Sequence, residues 1–328
     1  MRRLASFVLA SVLVGVPCCG RTGLDSKVAG AGVAVGSGGV TSTGGVPVTG
    51  SVVGPGGATS TSSGAVDNDS ATPVGTFTSV SVGPADEACG VRTDGTVDCW
   101  GNSYYPSPAG TFTSISAGDS WACGVRTDET IACWGGDAFG DTIPPAGTFT
   151  SVTTGYDYAC GLRTDRTIAC WGDDAQGDTK PPAGTFKFLS LGRGYDCGVR
   201  TTGTIACWGD AAAGDNAILP DGTFKSISPG GGCPCGVRTD GTIACCGFPS
   251  GTAHIGCAGP TPSGPFTAIS GIYLLRTDGT IVAWCAVGIT PPLGTFLSIS
   301  VGATMACGVK TDDTIDCWSA APPGGLGY

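Results

Sequence analysis

From residue 75 to residue 320 the chain is written in short runs in which Thr, Ser, Ile, Val and Phe alternate, each run ended by a glycine or an Asp-Gly signal. A period of two over five or six residues predicts β-strands, and long helices are not expected. The runs themselves recur. A Gly-Thr-Phe marker places phenylalanines at Phe77, Phe112, Phe149, Phe186, Phe224, Phe266 (after Pro265) and Phe296, at intervals of 35, 37, 37, 38, 42 and 30 residues. The second copy shows the full unit: Gly110 to Gly118, a short loop, Ala122 to Gly135, a second loop, then Pro144-Pro145-Ala146.

Each unit reads as three strands. A three-stranded sheet this short cannot bury both of its faces alone, whereas seven packed face to face around an axis can. The expected fold is therefore all-β, a seven-bladed β-propeller of short three-stranded blades over residues 75–328. Six units end their third strand on a tryptophan, Trp100, Trp134, Trp171, Trp208, Trp284 and Trp318, which is expected to pack between neighbouring blades.

Composition changes the picture at the N-terminus. Arg2 and Arg3 precede an apolar run from Leu4 to Val16 that is too short and wrongly flanked for a mature spanning helix, so residues 1–19 read as an export signal. Cys18 and Cys19 follow it, as in a bacterial lipoprotein signal with Cys19 as the favoured lipidated residue. Pro17 departs from that pattern, and an ordinary secretory peptide is the alternative. Residues 20–74, which between Val28 and Val66 hold no charged and no aromatic residue, read as a flexible tether. The expected location is the bacterial outer membrane or cell surface, or the secreted fraction, with membrane contact only through an N-terminal lipid.

Without Arg2 and Arg3, 14 basic face 26 acidic side chains. An acidic surface repels phosphate backbones, which argues against nucleic-acid partners. Export also decides the reading of the 18 cysteines, because oxidising compartments permit disulfides. Six units carry cysteines ten residues apart: Cys89/Cys99, Cys123/Cys133, Cys160/Cys170, Cys197/Cys207, Cys235/Cys245 and Cys307/Cys317. A three-residue turn such as Thr93-Asp94-Gly95 sets each pair directly opposite, at a non-hydrogen-bonded position within disulfide reach. The sixth unit loses both cysteines together, to Tyr273 and Ala283, as a bonded pair predicts. Glu129, Arg166 and Asp313 occupy the turn position that glycine fills elsewhere, so those turns are expected to be strained or different.

Cys233, Cys246, Cys257 and Cys285 are left over and cluster with the only histidine, His254. With no Cys-x-x-Cys pair and no second histidine, extra disulfides of unassigned connectivity are favoured over a metal site.

The Cys-Trp-Gly-Asp segment followed by Pro-Pro-Ala-Gly, with Ala-Gly-x-x-x-Ala-Cys-Gly-Val-Arg before it, resembles the short bacterial form of the regulator-of-chromosome-condensation repeat. The β-lactamase-inhibitor propellers have a similar repeat. The resemblance implies a seven-bladed propeller and leaves the function open.

Strand polarity puts both variable loops of every unit on one face. That face would collect Tyr104, Tyr105, Trp121, Asp137, Phe139, Tyr156, Asp157, Tyr158, Asp174 and Tyr195, aromatic anchors among acidic groups of the kind a protein or glycan interface uses. The opposite face carries Arg92, Arg126, Arg163, Arg200, Arg238, Arg276 and Lys310, expected to pair with the turn aspartates. No catalytic constellation, cofactor motif or metal-ligand spacing appears. The leading expectation is a monomeric binding platform for an unknown envelope protein or glycan, without enzymatic activity. The alternatives are an enzyme inhibitor, implied by the β-lactamase-inhibitor resemblance, and a carbohydrate-acting lyase or hydrolase using Asp119, Asp157 or Asp196.

Overall fold

The computed structural model describes residues 72–101, 106–136, 142–174, 179–192, 195–209, 219–229, 234–246, 262–284 and 290–319. The signal, residues 20–71 of the tether, Cys18, Cys19, Cys233, Cys257, Cys285, Tyr104, Tyr105, Asp137 and Phe139 lie outside them.

The described residues form seven three-stranded antiparallel sheets, each in chain order, as the repeat predicts. Their first strands are Phe77–Val82, Phe112–Ala117, Phe149–Thr154, Phe186–Ser190, Phe224–Ser228, Phe266–Ser270 and Phe296–Val301. In the first sheet the second and third strands are Glu87–Arg92 and Val97–Gly101. Apart from the third and fourth sheets, first strands touch their counterparts in neighbouring sheets, including the first against the seventh, so they lie innermost.

Alternation gives each sheet two different faces. In the second strand of the first sheet, Cys89 and Val91 point one way, and Ala88 and Gly90 the other. The Cys/Val face packs on the next sheet's Phe112, Ile115, Ala122 and Trp134, and the same arrangement recurs from sheet to sheet. Gly90 and its equivalents leave room for the phenylalanine ring, since a Cβ at Gly161 would stand 2.5 Å from Phe149 Cδ1. Trp134 meets the Phe112 ring edge-on, with centroids 5.8 Å apart.

All six expected disulfides are present: Cys89–Cys99, Cys123–Cys133, Cys160–Cys170, Cys197–Cys207, Cys235–Cys245 and Cys307–Cys317. The cysteines of each pair stand directly opposite, with Cα atoms 4.0–4.1 Å apart. The two halves of a staple are not equally covered. Each second-strand cysteine is buried, whereas its third-strand partner, Cys99, Cys133, Cys170, Cys207, Cys245 or Cys317, is half-buried at the outer side of the same intersheet contact. In five of the six the tryptophan of the following sheet covers the bond. In the sixth sheet Tyr273 faces Ala283, and the fully buried Tyr273 ring meets Trp318 at 5.6 Å in a T-shaped pair. Tyrosine therefore fills the volume that the disulfide fills elsewhere. Cys246 stands where the other sheets have tryptophan and is itself disulfide-bonded.

The hairpin turns explain their own strain. Glu129, Arg166 and Asp313 adopt φ of +69°, +71° and +65°, the same left-handed conformation as Gly95, Gly203, Gly241 and Gly279, so the turns do not differ. This conformation aims the carbonyl of the turn residue at the next sheet. Gly95 O accepts from Phe112 N at 2.8 Å and Glu129 O from Phe149 N at 2.8 Å, and all seven phenylalanine N–H groups are met this way, Phe77 by Asp313 O at 2.7 Å. Left-handed backbone costs a non-glycine residue about 1–2 kcal/mol. Glu129→Gly, Arg166→Gly and Asp313→Gly are each expected to stabilise the fold by about 0.5–1 kcal/mol, the relief being offset partly by the entropy of glycine in the unfolded chain. Urea unfolding checks this, with Glu129→Ala as a control that should show no gain.

A second set of intersheet bonds is invisible to pattern reading. Every first strand carries a buried hydroxyl at the same register: Ser81, Ser116, Thr153, Ser190, Ser228, Ser270 and Ser300. Ser81 Oγ accepts from Ala117 N at 3.0 Å, Ser116 Oγ from Thr154 N at 3.0 Å, and Ser300 Oγ from Val82 N at 2.9 Å. A first strand is an edge strand of its sheet, and its outward N–H groups would be orphaned without acceptors from the preceding sheet.

The arginines after the second strand do not pair with the turn aspartates. Asp94 Oδ1 instead accepts from Thr96 N at 2.9 Å and from Thr96 Oγ1 at 2.7 Å, an arrangement repeated in five further turns. These bonds hold the Asp94 and Asp128 carboxyls below the usual carboxylate range, the threonine hydroxyl contributing most. The guanidinium groups stack on the phenylalanines, Arg126 at 5.0 Å from the Phe112 centroid and Arg163 at 4.9 Å from Phe149. Arg126 also donates to Ala109 O at 2.9 Å. The glycine of Gly-Thr-Phe is bound to this packing: Gly147 has φ +139°, and a Cβ there would lie 2.1 Å from Arg163 Nη1. In the seventh sheet Lys310 replaces arginine and pairs with Asp316 at 2.9 Å, and a Cβ on Gly294 would meet only Phe296, at 3.9 Å.

Candidate functional site

At the far end of the second and third sheets from the Asp turns, the residue that opens the second strand holds a loop of the sheet that follows. Trp121, Tyr158 and Tyr195, expected from the sequence as exposed anchors, are buried at 1%, 2% and 8% exposure. Their place follows from alternation, because Trp121, Cys123 and Val125 lie on one strand face and enter one intersheet cluster. At their tips they tie loops together. Trp121 Nε1 donates to Tyr156 O at 3.2 Å, which couples the second sheet to the loop of the third. Tyr158 OH donates to Asp196 Oδ1 at 2.6 Å, and to Gly192 O at 3.2 Å, which couples the third sheet to the fourth. Small residues make room for these rings: a Cβ on Gly118 would lie 2.6 Å from Trp121 Nε1, and one on Gly155 would lie 2.5 Å from Tyr158 Cζ. Burial pushes the Tyr195 phenol up.

Asp86 plays the equivalent part between the first and seventh sheets. Its Oδ1 accepts from Thr304 N and Met305 N, both at 3.0 Å, and its other oxygen accepts from the Thr304 hydroxyl. Sequence reasoning missed Asp86, although a lone aspartate just before a strand is a recognisable capping signal.

What remains at the surface is narrower than the expected set. Tyr156 is 41% exposed and is the one exposed aromatic among the described residues. Asp157 beside it is half-buried, and its carboxyl is pushed up by burial first, then by the charges of Asp119 and Asp173. Asp119 and Asp173, from loops of the second and third sheets, are thus close enough for their charges to act on Asp157, the residue after Tyr156. Asp174 is engaged within its loop, to Lys180 Nζ at 2.6 Å and Thr179 N at 3.2 Å, and these bonds hold its carboxyl below the usual range.

Two chemical readings find little here. Asp196 is fully buried and accepts from Tyr158 and from Gly192 N at 3.1 Å, so it holds two sheets together. The Glu87 carboxylate lies within 4.8 Å of Cys89 and Cys99 sulfurs, but those sulfurs are bonded to each other and offer no thiolate to a metal.

The sequence matches no protein-family model and no curated protein. Among solved structures the chain is similar to the CRINKLY WD40 ectodomain of the Arabidopsis thaliana receptor kinase ACR4, at 22% identity and a TM-score of 0.62, over 76% of this chain and 100% of that one. It is also similar to the ectodomain of the Physcomitrella patens receptor kinase CR4, at 21% identity and a TM-score of 0.60, over 78% of this chain and 77% of that one. A weaker likeness, 13% identity and a TM-score of 0.45, links it to yeast RCC1 (Prp20) over 74% of this chain and 70% of that one. At these identities the likeness is one of fold, and with the seven antiparallel sheets described above it makes the chain a seven-bladed β-propeller.

Proposed function

We propose that the chain is an exported binding protein that takes a protein partner at the loop end of its sheets and carries out no chemistry there. The observation that carries this reading is Tyr156, an exposed aromatic in a loop pinned through its own backbone carbonyl by the buried Trp121, and followed in the chain by Asp157, on which the charges of Asp119 and Asp173 act. A pre-positioned aromatic loses little freedom on binding, and acidic groups at its rim select a partner with a basic patch. Six disulfides fit an oxidising compartment, and the similar plant propellers are receptor ectodomains. The N-terminal signal, with lipid on Cys19, would hold the propeller at the bacterial surface.

A photo-crosslinking residue placed at position 156 of the full chain, in envelope preparations, is expected to give a discrete protein adduct, and one placed at exposed Thr93 at the opposite end is expected to give none. Asp157→Asn with Asp173→Asn should lower the adduct yield at least threefold, and added salt should do the same. Equal capture from positions 93 and 156, or no adduct at 156, would overturn the reading.

A further inference from the structure

Glu87 is 1% exposed, and it opens the second strand of the first sheet at the position that Trp121, Tyr158 and Tyr195 take in the next three sheets and half-buried Met305 takes in the seventh. It stands two residues before Cys89, so alternation turns both side chains to one strand face, the face that carries the staple. The Glu87 carboxylate and the Cys89 and Cys99 sulfurs all lie within 4.8 Å of one another, and no other such group of carboxylate, cysteine and histidine side chains occurs among the described residues. A carboxylate costs more to bury than the rings and the thioether that stand here in other sheets, so packing alone does not account for it.

These three groups suit one kind of guest once the S–S bond is open. Two thiolates and a carboxylate are ligands for a borderline-soft divalent cation such as zinc. Zinc holds sulfur at about 2.3 Å and oxygen at about 2.0–2.2 Å, which sets neighbouring ligand atoms about 3.5–4 Å apart. The cysteine Cα atoms already stand 4.0 Å apart on paired strands, so rotation about the Cα–Cβ bonds gives separated sulfurs that spacing. Cys99 is half-buried at the outer side of the intersheet contact, which gives reductant and cation a way in, whereas Cys89 and Glu87 are covered. At Trp121, Tyr158, Tyr195 and Met305 the same register offers no carboxylate, and two sulfurs alone leave a tetrahedral cation two ligands short.

We propose that Glu87, Cys89 and Cys99 form a redox-gated site for a thiophilic divalent cation of the zinc class, closed while the staple is intact. A dithiol reductant supplies two electrons and two protons to the Cys89–Cys99 bond and is itself oxidised to a disulfide. The cation then displaces both thiol protons to solvent and takes the two sulfurs and the Glu87 carboxylate as ligands, with water in the fourth position. Reoxidation to the disulfide removes two ligands and releases the cation. The site does not rest on the binding function proposed for the loop end.

The test refolds the full chain from its reduced, denatured state with oxidised glutathione, with and without zinc. Thiols are then freed from metal by chelator in denaturant, alkylated and mapped by peptide mass spectrometry. Without zinc all six staples should close. With zinc, Cys89 and Cys99 should remain thiols while Cys197–Cys207 and the other four pairs close. Glu87→Gln keeps the shape of the side chain and should cut the protected fraction by roughly tenfold, while its staples still close without zinc. Met305→Glu puts a carboxylate at the same register before Cys307 and should add protection at Cys307 and Cys317, which keeps the idea testable where Glu87→Gln does not fold. Closure of Cys89–Cys99 with zinc present, equal protection at all six pairs, or protection unchanged by Glu87→Gln would overturn the proposal.

Discussion

Tyr273→Ala is expected to destabilise the propeller by about 3–5 kcal/mol, the range for truncating a large aromatic side chain in a core. The position is fully buried, and its ring is the partner of Trp318 in the contact between the sixth and seventh sheets. The other intersheet contacts at this level are filled by a disulfide, so the truncated sheet would have neither the bond nor the ring. Because Tyr273 and Ala283 stand directly opposite each other at the staple register, Tyr273→Cys with Ala283→Cys is expected to form a seventh disulfide. That double variant should recover most of the loss in oxidising buffer and none of it under reductant. Guanidinium unfolding followed by tryptophan emission reads both effects. Equal stability of wild type and Tyr273→Ala would mean that the ring carries no packing of its own.

Complete reduction is expected to unfold the propeller. A disulfide closing a loop of this length, ten residues apart in sequence, contributes about 2.5–3 kcal/mol. Six such terms, even if far from additive, reach the roughly 5–15 kcal/mol that holds a typical domain together. Opening one pair, Cys197→Ala with Cys207→Ala, should lower stability by about 2–4 kcal/mol without loss of fold. Opening all six should abolish cooperative thermal unfolding. Retention of a sharp transition in the fully reduced chain would show that intersheet packing and hydrogen bonds suffice alone.

Much of the architecture was legible because repetition multiplies a weak signal. One Phe-Thr-Ser-Ile-Ser run is an ambiguous strand, but seven at nearly constant spacing fix strand number, hairpin register and the cysteine pairing. What escaped reading was whatever depends on the neighbouring sheet. Ser81 and Ser116 look like ordinary strand residues, and only the position of the next first strand makes their hydroxyls acceptors. Glu129, Arg166 and Asp313 looked like exceptions to a glycine rule until their carbonyls were seen to meet the following phenylalanine N–H. The arginines were expected to pair with the turn aspartates, yet those are satisfied by threonine and the flat guanidinium finds an aromatic ring, Arg92 pairing as well with Asp98 of the third strand. At the candidate site the error lay within reach of the sequence. The spacing of Trp121, Cys123 and Val125 places all three on one strand face, so a tryptophan two residues before a stapled cysteine belongs inside.

The backbone N–H groups of each first strand are met from one direction only, by a turn carbonyl or a hydroxyl of the copy before. The opening copy is therefore the one that must wait. As the chain is made, the acceptors of Phe77 N and Val82 N, Asp313 O and Ser300 Oγ, emerge only with the seventh copy, 218 residues later in the case of Val82. A nascent chain can staple each hairpin as it appears, but its first strand stays unsatisfied until the seventh copy has emerged. Such a distant pairing is slow to form. Truncations that remove only the seventh copy should thus be felt first at the opposite terminus, as fraying of Phe77–Val82.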